Sequence, residues 1–386
     1  MNVAPALIPA NATGQALLDH WLPRLEEALD AGHQAAVEER QRRAWAFEPV
    51  DHLPIMVTLR DDVAHQTFGH TGWPTFDWEQ QMADPARMLL NELAPAWEST
   101  LLRDDKCFSI RPNLGIGTIP TLVGCKVAFD NASEDSMPWV VRPEGYTERE
   151  NLQRLMDAGV PDLDGGNTST YRRIVEAWRV FLQPYPKLRR FCHLTLPDNQ
   201  GPFNLAFHLR GESLYLDVYD DPEWVHQFLG WISRLYVAAS KHYKAILGEP
   251  LDQGFYWNWR LRGGVRNVDD NSVLLGPEQY GQFVKPYNDR SFGPFGGGAH
   301  HFCGNVEHIF DSAVNIENLS GVHLGNPELN KFEYVWSRTS ARRVCLLWDM
   351  PLPEAQRGVV KTGIVIREKV KSMEQAKRVV EQYQAN

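Results

Sequence analysis

Three features that would place this 386-residue chain in a familiar class are missing from it. No stretch approaches the roughly twenty consecutive apolar residues that a membrane-spanning helix needs. Acidic side chains outnumber basic ones, 49 to 39, and the formal charge of −10 argues against general binding to nucleic acid or an anionic membrane. Five cysteines are too few for a disulfide scaffold in a chain of this length. We therefore expect no nucleic-acid partner, no membrane partner and no small secreted domain.

The N-terminal stretch MNVAPALIPANATG has no basic region and no long apolar core, so we expect no signal peptide. The odd number of cysteines leaves at least one unpaired within the chain, which suits a reducing compartment. We predict a cytoplasmic protein that binds a small-molecule substrate. A homo-oligomer is compatible with the sequence.

The glycine signatures of nucleotide-binding sheets are also missing. The GIG stretch at 115–117 comes nearest to the dinucleotide motif, but the third glycine is absent and Pro120 follows. No Gly-x-x-x-x-Gly-Lys-Ser/Thr occurs anywhere in the chain. The sequence thus gives little support to dinucleotide or nucleoside-triphosphate chemistry.

What the chain does contain is an alternation of strand-like and helix-like segments, after a helical stretch over 14–48. The predicted strands are 55–59, 106–111, 138–141, 190–196, 253–257, 299–303, 321–324, 343–348 and 363–367. The predicted helices are 83–102, 149–158, 168–182, 221–246, 277–293, 305–315 and 372–384. This alternation favours a parallel sheet covered by helices, either closed as a barrel or open and doubly wound.

The strongest local signal is HFCGN at 301–305. Alternate side chains of a strand share one face, so His301 and Cys303 point the same way, and Asn305 follows at the strand end. An imidazole and a thiolate that converge in this way are two good zinc ligands. The alternative is a packed cysteine beside a hydrogen-bonded histidine.

Two later strands add candidates. His323 shares a face with small glycines and is either a ligand or a core histidine. Cys345 and Asp349 share parity but lie about 13 Å apart along a strand, so only one of them reaches the rim where sites form. This favours Asp349 at the rim and Cys345 in the apolar interior. Asp269 and Asp270 precede a Pro-Glu helix and are expected either to cap it or to accept local hydrogen bonds.

Several short stretches, in this order along the chain, carry a family resemblance: GPFNLA at 201–206, DPEWVH at 221–226, GPEQY at 276–280 with VKPY at 284–287, and HFCGN at 301–305. The chain resembles the uroporphyrinogen decarboxylase superfamily, which also contains the methyltransferases that serve methylcobalamin and corrinoid proteins. The last stretch matches the His-x-Cys-Gly-Asn of the methyltransferase branch.

The resemblance implies an α/β fold, a distorted (β/α)8 TIM-type barrel with its cleft at the carboxyl ends of the strands. It implies one barrel domain over 51–386, preceded by an N-terminal helical extension over 1–50.

The motifs of the decarboxylase itself are absent. Its Arg-Gln-Ala-Gly-Arg segment has no counterpart after the strand 55–59, which is followed by RDD. Its late Gly-His-Gly-Ile segment is missing too, because GIVI at 363–366 has no histidine. A tyrosine that follows the family's Gly-Pro motif falls on His208 here. The resemblance is therefore closer to the methyltransferase branch.

In that branch the His-x-Cys pair and a later cysteine hold zinc, often with a carboxylate from the intervening strand. His301 and Cys303 match residue for residue. The carboxylate position falls near Gly325, with His323 two residues earlier, and Cys345 lies one strand before the expected late cysteine. The predicted metal ligands are His301, Cys303, His323 and Cys345.

Predicted substrate contacts come from an aromatic and cation-rich stretch and from two loops. Tyr256, Asn258 and Arg260 could line a pocket for a flat or anionic substrate, or form a packed strand end. Asn305 is a further predicted contact. Asn113 lies in a loop that the family places at the cleft.

The sequence thus predicts a zinc-dependent methyltransferase that moves a methyl group between a small substrate and a corrinoid protein or a thiol. One alternative is a metal-free decarboxylase or lyase in which His208, Asn113 and Asp349 surround a carboxylated substrate. The other is a non-catalytic barrel that binds a corrinoid or another small molecule.

Overall fold

The computed structural model describes residues 13–60, 71–129 and 138–385. The stretch inspected for a signal peptide lies, up to residue 12, outside the described residues, and so do Asp61 and Asp62 after the first strand. Within the described ranges, no helix combines the length and the apolar character that crossing a bilayer requires.

Helices account for most of the regular structure. They are α1 Gly14–Ala28, α2 Ala31–Trp45, α3 Trp78–Ala83, α4 Pro85–Leu102, α5 Thr118–Leu122, α6 Arg149–Ala158, α7 Thr168–Leu182, α8 Pro186–Phe191, α9 Pro202–Arg210, α10 Ser213–Asp220, α11 Pro222–Leu247, α12 Pro277–Phe283, α13 Lys285–Phe292, α14 Phe310–Ala313, α15 Phe332–Arg342 and α16 Met373–Gln384.

The strands form one large parallel sheet and three two-stranded pairs. They are β1 Ile55–Leu59, β2 Ser109–Ile110, β3 Lys126–Ala128, β4 Trp139–Val141, β5 His193–Leu194, β6 Phe255–Tyr256, β7 Trp259–Arg260, β8 Val265–Val268, β9 Gly298–Phe302, β10 Leu319–Leu324, β11 Cys345–Trp348 and β12 Ile364–Val370. The large sheet has the order β1-β12-β11-β10-β9-β8, with every pair parallel. The pair β2/β5 is also parallel, whereas β3/β4 and β6/β7 are antiparallel.

The central strands are buried on both faces. Every residue of β1, β9 and β11 is buried, as expected for a parallel sheet whose two faces are both covered. Because the strands run in the same direction, their carboxyl ends lie at one edge. The predicted α/β class with a parallel sheet is therefore confirmed, and the predicted N-terminal helices are present.

The predicted helical stretch over 14–48 is two helices rather than one. The first helix ends at Ala28, and Asp30 is the N-terminal cap of α2, because its carboxylate accepts hydrogen bonds from the backbone N–H groups of Gly32 and His33. A cap of this kind fixes the residue at which α2 begins.

One strand of the large sheet is absent from the sequence prediction. The sequence of β8 is VRNV, and its Arg266 and Asn267 do not fit an apolar strand pattern. Both are nevertheless buried, because Arg266 lies 3.3 Å from a carboxylate oxygen of Asp198 and Asn267 donates a hydrogen bond to Asn288. Both side chains thus find partners inside the fold, which the local sequence does not reveal.

The predicted strand 253–257 is one arm of a tight hairpin. Its two arms, β6 and β7, are joined by Trp257 and Asn258, whose φ angles are 48° and 66°. Left-handed backbone is favourable in a two-residue hairpin turn, but it is unusual for a tryptophan. The turn is held in place because the backbone O of Asn258 accepts hydrogen bonds from Cys107 and Gln41.

Candidate metal centre and its cavity

A cavity of about 540 Å³ opens where several strands of the parallel sheet end. His301 and Cys303 at the end of β9, Gly325 after β10 and Asp349 after β11 all line it. The carboxyl ends of parallel strands are the usual place for ligand sites in α/β folds. Its charged lining residues are Arg60, Glu92, Glu98, Lys106, Arg111, Asp349, Arg367 and Lys369.

Three potential metal ligands meet beside this cavity. Among the described residues, Asp270, His301 and Cys303 each offer one ligand atom, and these atoms all lie within 4.8 Å of one another. The Nε2 atom of His301 is 3.4 Å from Sγ of Cys303 and 3.5 Å from Oδ1 of Asp270. One nitrogen, one sulfur and one carboxylate oxygen form a donor set that suits zinc.

The local backbone holds two of these ligands together. Asp270 begins the short 3-10 helix after β8, and its Oδ1 atom accepts a hydrogen bond of 2.7 Å from the backbone N–H of Cys303. This carboxylate therefore belongs to the centre and does not serve the capping role that the sequence suggested. The sequence did not point to Asp270 as a metal ligand, because β8, the strand that it follows, was not predicted as a strand.

Gly325 leaves space next to the ligands. A Cβ atom at this position would lie 2.9 Å from Sγ of Cys303 and 3.0 Å from Cε1 of His301. Its backbone N–H donates to the carbonyl of Phe302, which fixes the close approach of the two strand ends. The family's carboxylate position near Gly325 holds no ligand, and Asp270 supplies a carboxylate from the opposite neighbour of β9.

Burial affects the protonation of all three ligands, and it raises the pKa of Asp270 above its usual value. It lowers the pKa of His301 well below the usual value, so its imidazole is neutral and has a lone pair to offer. Burial, together with the negative charge of Asp270, raises the pKa of Cys303 to about 12. A cation between these groups would reverse that preference and hold the sulfur as a thiolate. The donor set thus fits a divalent metal ion.

Behind His301 lies a second row of polar groups. Its Nδ1 atom is 2.7 Å from Nδ1 of His323, and Nε2 of His323 is 3.4 Å from Oδ2 of Asp349. Burial lowers the pKa of His323 to about 4. Burial by itself would raise the pKa of Asp349, but the charge of Arg367, whose Nη1 atom is 3.4 Å away, outweighs it and holds that pKa well below the usual range.

The hairpin between β6 and β7 covers this row. The indole ring of Trp257 lies edge-on to the rings of His301 and His323, with centroids 5.8 Å and 5.6 Å away. The guanidinium carbon of Arg266 lies 4.1 Å from the centroid of the same indole ring. Neither Trp257 nor Arg266 was predicted at the candidate metal centre, because neither side chain offers a ligand atom for a metal.

Some of the other predicted residues lie at the cavity. Tyr256, Asn258 and Asn113 line it, in addition to Asp349. The hydroxyl of Tyr256 accepts a hydrogen bond from Arg111 and donates one to Asp198. These residues are therefore in reach of a molecule bound in the cavity.

The remaining predicted residues lie elsewhere. Cys345 is fully buried in an apolar cluster and does not line the cavity. Arg260 lines a separate cavity of about 700 Å³. Asn305 donates to the carbonyl of Leu329 and accepts from the backbone of Glu307. His208 lies on α9 away from the cavity lining. The structure therefore does not bring these residues to the metal centre.

Comparison with known proteins gives a likeness in structure but none in sequence. No protein-family model matches the sequence, and no curated protein matches it either. In structure the chain is similar to a methyltransferase from Methanosarcina mazei, with a TM-score of 0.61 and 16% sequence identity. The match covers 90% of this chain and 98% of the other. At this identity the likeness establishes a shared fold.

Proposed function

We propose that this protein is a zinc-dependent methyltransferase that moves a methyl group between a small substrate and a corrinoid protein or a thiol. The observation that carries the proposal is the convergence of Asp270, His301 and Cys303 beside the cavity. The structural likeness to a methyltransferase supports it, as does the His-x-Cys-Gly-Asn stretch. We assign the chain to the uroporphyrinogen decarboxylase-like superfamily on the same grounds.

We further infer that the parallel strands close into a distorted (β/α)8 barrel over 51–386, with 1–50 as a helical extension. The six strands of the large sheet and the pair β2/β5 supply the eight parallel strands that such a barrel needs. Two backbone hydrogen bonds bring the pair towards the edges of the sheet. Asp105, just before β2, donates to Ile55, and Gly201, after β5, donates to Val268.

Each residue at the candidate centre has a distinct role. Bound there, zinc supplies the positive charge that keeps a thiol deprotonated, and it leaves an open position for a substrate atom. His301 offers a neutral nitrogen, Cys303 a sulfur, and Asp270 a carboxylate oriented by the backbone N–H that it accepts. Gly325 keeps the neighbouring space open, and Asn113 and Asn258 present polar groups to the rest of the substrate.

The metal-free decarboxylase alternative receives less support from the geometry. It requires His208, Asn113 and Asp349 around one substrate. Asn113 and Asp349 line the cavity, but His208 does not. Of the two enzymatic functions, methyl transfer therefore accounts for more of the residues that meet at the cavity.

Metal analysis tests the metal centre directly. Protein purified without chelators is expected to carry about one zinc ion per chain, measured by plasma mass spectrometry. Asp270→Asn, His301→Ala and Cys303→Ser are expected to lose it, because each removes a ligand atom. Cys125→Ser is the matched control, since this cysteine lies outside the cavity lining. A wild-type chain that neither contains zinc nor takes up added zinc would contradict the proposal.

Methyl transfer tests the reaction. The wild-type protein is expected to demethylate methylcobalamin in the presence of small thiols, followed by the change in visible absorption. The three ligand variants should lose this activity, and Cys125→Ser should keep it. Transfer that is unchanged in Cys303→Ser would show that the centre does not serve methyl transfer.

A further inference from the structure

We propose that His323 and Asp349 are positioning residues, which hold His301 in the tautomer whose Nε2 atom is free to bind a metal ion. The inference rests on the proposed metal centre and deepens it. It gives His323 a role behind the ligands, because its Nδ1 atom is turned towards His301 and lies 2.7 Å from Nδ1 of that residue.

The contact between the two histidines fixes which nitrogen carries hydrogen. A neutral imidazole has one N–H group and one lone pair. The Nε2 atom of His301 faces Cys303 and Asp270, and it can bind a metal only through its lone pair. His301 therefore carries its hydrogen on Nδ1 and donates it to Nδ1 of His323.

The next contact agrees with this assignment. Because His323 accepts at Nδ1, it carries its own hydrogen on Nε2. That atom is 3.4 Å from Oδ2 of Asp349, a carboxylate that can only accept. The opposite pair of tautomers would turn a lone pair of His323 towards the negative carboxylate. The charge of Asp349 thus selects the hydrogen positions of both rings.

The surroundings keep this chain of three residues in place. Oδ2 of Asp349 is 3.4 Å from Nη1 of Arg367 and 4.0 Å from Nζ of Lys369. Arg367 in turn donates a hydrogen bond of 2.8 Å to the backbone O of Trp257. His323 is only 2% exposed. With so little access for solvent, water is a poor substitute for Asp349.

Partners behind a metal-binding histidine fix the orientation of its ring and raise its basicity, and their loss typically costs roughly 10- to 100-fold in metal affinity. Asp349→Ala and His323→Leu are accordingly expected to weaken zinc binding roughly 10- to 100-fold, measured by competition with a chromophoric chelator. His323→Gln should recover part of the loss, because its amide oxygen can accept from His301. Asp311→Ala, at an exposed ion pair with Arg338, is the matched control.

Nuclear magnetic resonance of the zinc-loaded wild-type protein supplies a test that needs no destabilising variant. Proton–nitrogen correlations are expected to place hydrogen on Nδ1 of His301 and on Nε2 of His323. The reverse tautomers, or zinc affinities of Asp349→Ala and His323→Leu equal to wild type, would overturn the inference. A wild-type protein that does not bind zinc would instead refute the proposed function, so the two failures are distinguishable.

Discussion

Gly325 matters for the candidate metal centre because it has no side chain. The nearest heavy atoms to a Cβ at this position belong to the two ligands Cys303 and His301. A distance of 2.9 Å is shorter than two such atoms tolerate, so any side chain must displace a ligand or the strand end that carries it. Gly325 therefore affects the positions of the ligands although it offers no ligand atom itself.

We expect Gly325→Ala to weaken zinc binding while the chain stays folded. The added methyl group overpacks the site at a cost of about 1–3 kcal/mol. This cost weakens metal binding if the ligands must move apart to make room for the methyl group. Chelator competition measures the loss. Gly281→Ala is a suitable control, because the added atom there makes an ordinary contact of 3.8 Å with Ser312. Equal affinities for both variants would mean that Gly325 does not shape the centre.

At the scale of single residues, the sequence predicted some site residues better than others. His301 and Cys303 share a strand, so their proximity follows from spacing alone. Asp270 reaches them from a different segment, and only the pairing of β8 with β9 brings it there. The contact of Trp257 with His301 and His323 could not be predicted, because it depends on a left-handed turn that a tryptophan does not favour.

Among the elements, the break between α1 and α2 shows how one side chain can decide a boundary. The sequence predicted a helical stretch over 14–48 without naming a boundary inside it, on apolar residues that recur from Leu17 to Leu29. The Asp30 carboxylate accepts hydrogen bonds from the first N–H groups of α2 and so sets a boundary within that stretch. An accurate boundary therefore depended on the cap and could not be read from hydrophobicity.

Removing this cap is expected to destabilise the protein modestly. Asp30→Ala should lower the free energy of unfolding, because two backbone N–H groups lose their acceptor and Arg103 loses an exposed ion pair. Urea denaturation followed by circular dichroism measures the change. Asp19→Ala, within α1, is the control for the loss of an acidic side chain. An unchanged midpoint for Asp30→Ala would show that the cap is not needed for the start of α2.

The strands divide into those that the sequence could predict and those that it could not. Apolar strands such as β1, β10 and β11 were predicted close to their observed bounds. The polar β8 was not, since the partners of its buried side chains, Asp198 and Asn288, come from distant segments. Long-range pairing of buried polar groups has no local signature.

For the molecule as a whole, buried histidines are expected to limit stability in acid. Burial, with a smaller effect from the charge of Arg142, lowers the pKa of His208 from 6.5 to about 4. Between these two values the unfolded chain binds a proton that the folded chain does not. The free energy of unfolding must therefore fall as the pH is lowered from about 6.5 to about 4.

Replacing His208 by leucine should reduce this acid dependence by about 3 kcal/mol between pH 7 and pH 4, since each pKa unit corresponds to about 1.4 kcal/mol. The measurement is the free energy of unfolding in urea at several pH values between 4 and 7. His242→Gln is the control, as this histidine is in contact with the exposed carboxylate of Asp164. A His208→Leu curve parallel to that of wild type would contradict the assignment.

The ligands and their supporting residues come from segments around β8, β9, β10 and β11, which span residues 265 to 349. They meet only when these four strands have paired in the correct register. A metal ion bound by these residues would favour that register over any shifted one. By mass action, it would also stabilise this part of the sheet. A metal ion bound at the candidate centre would thus couple the availability of metal to the stability of the folded chain.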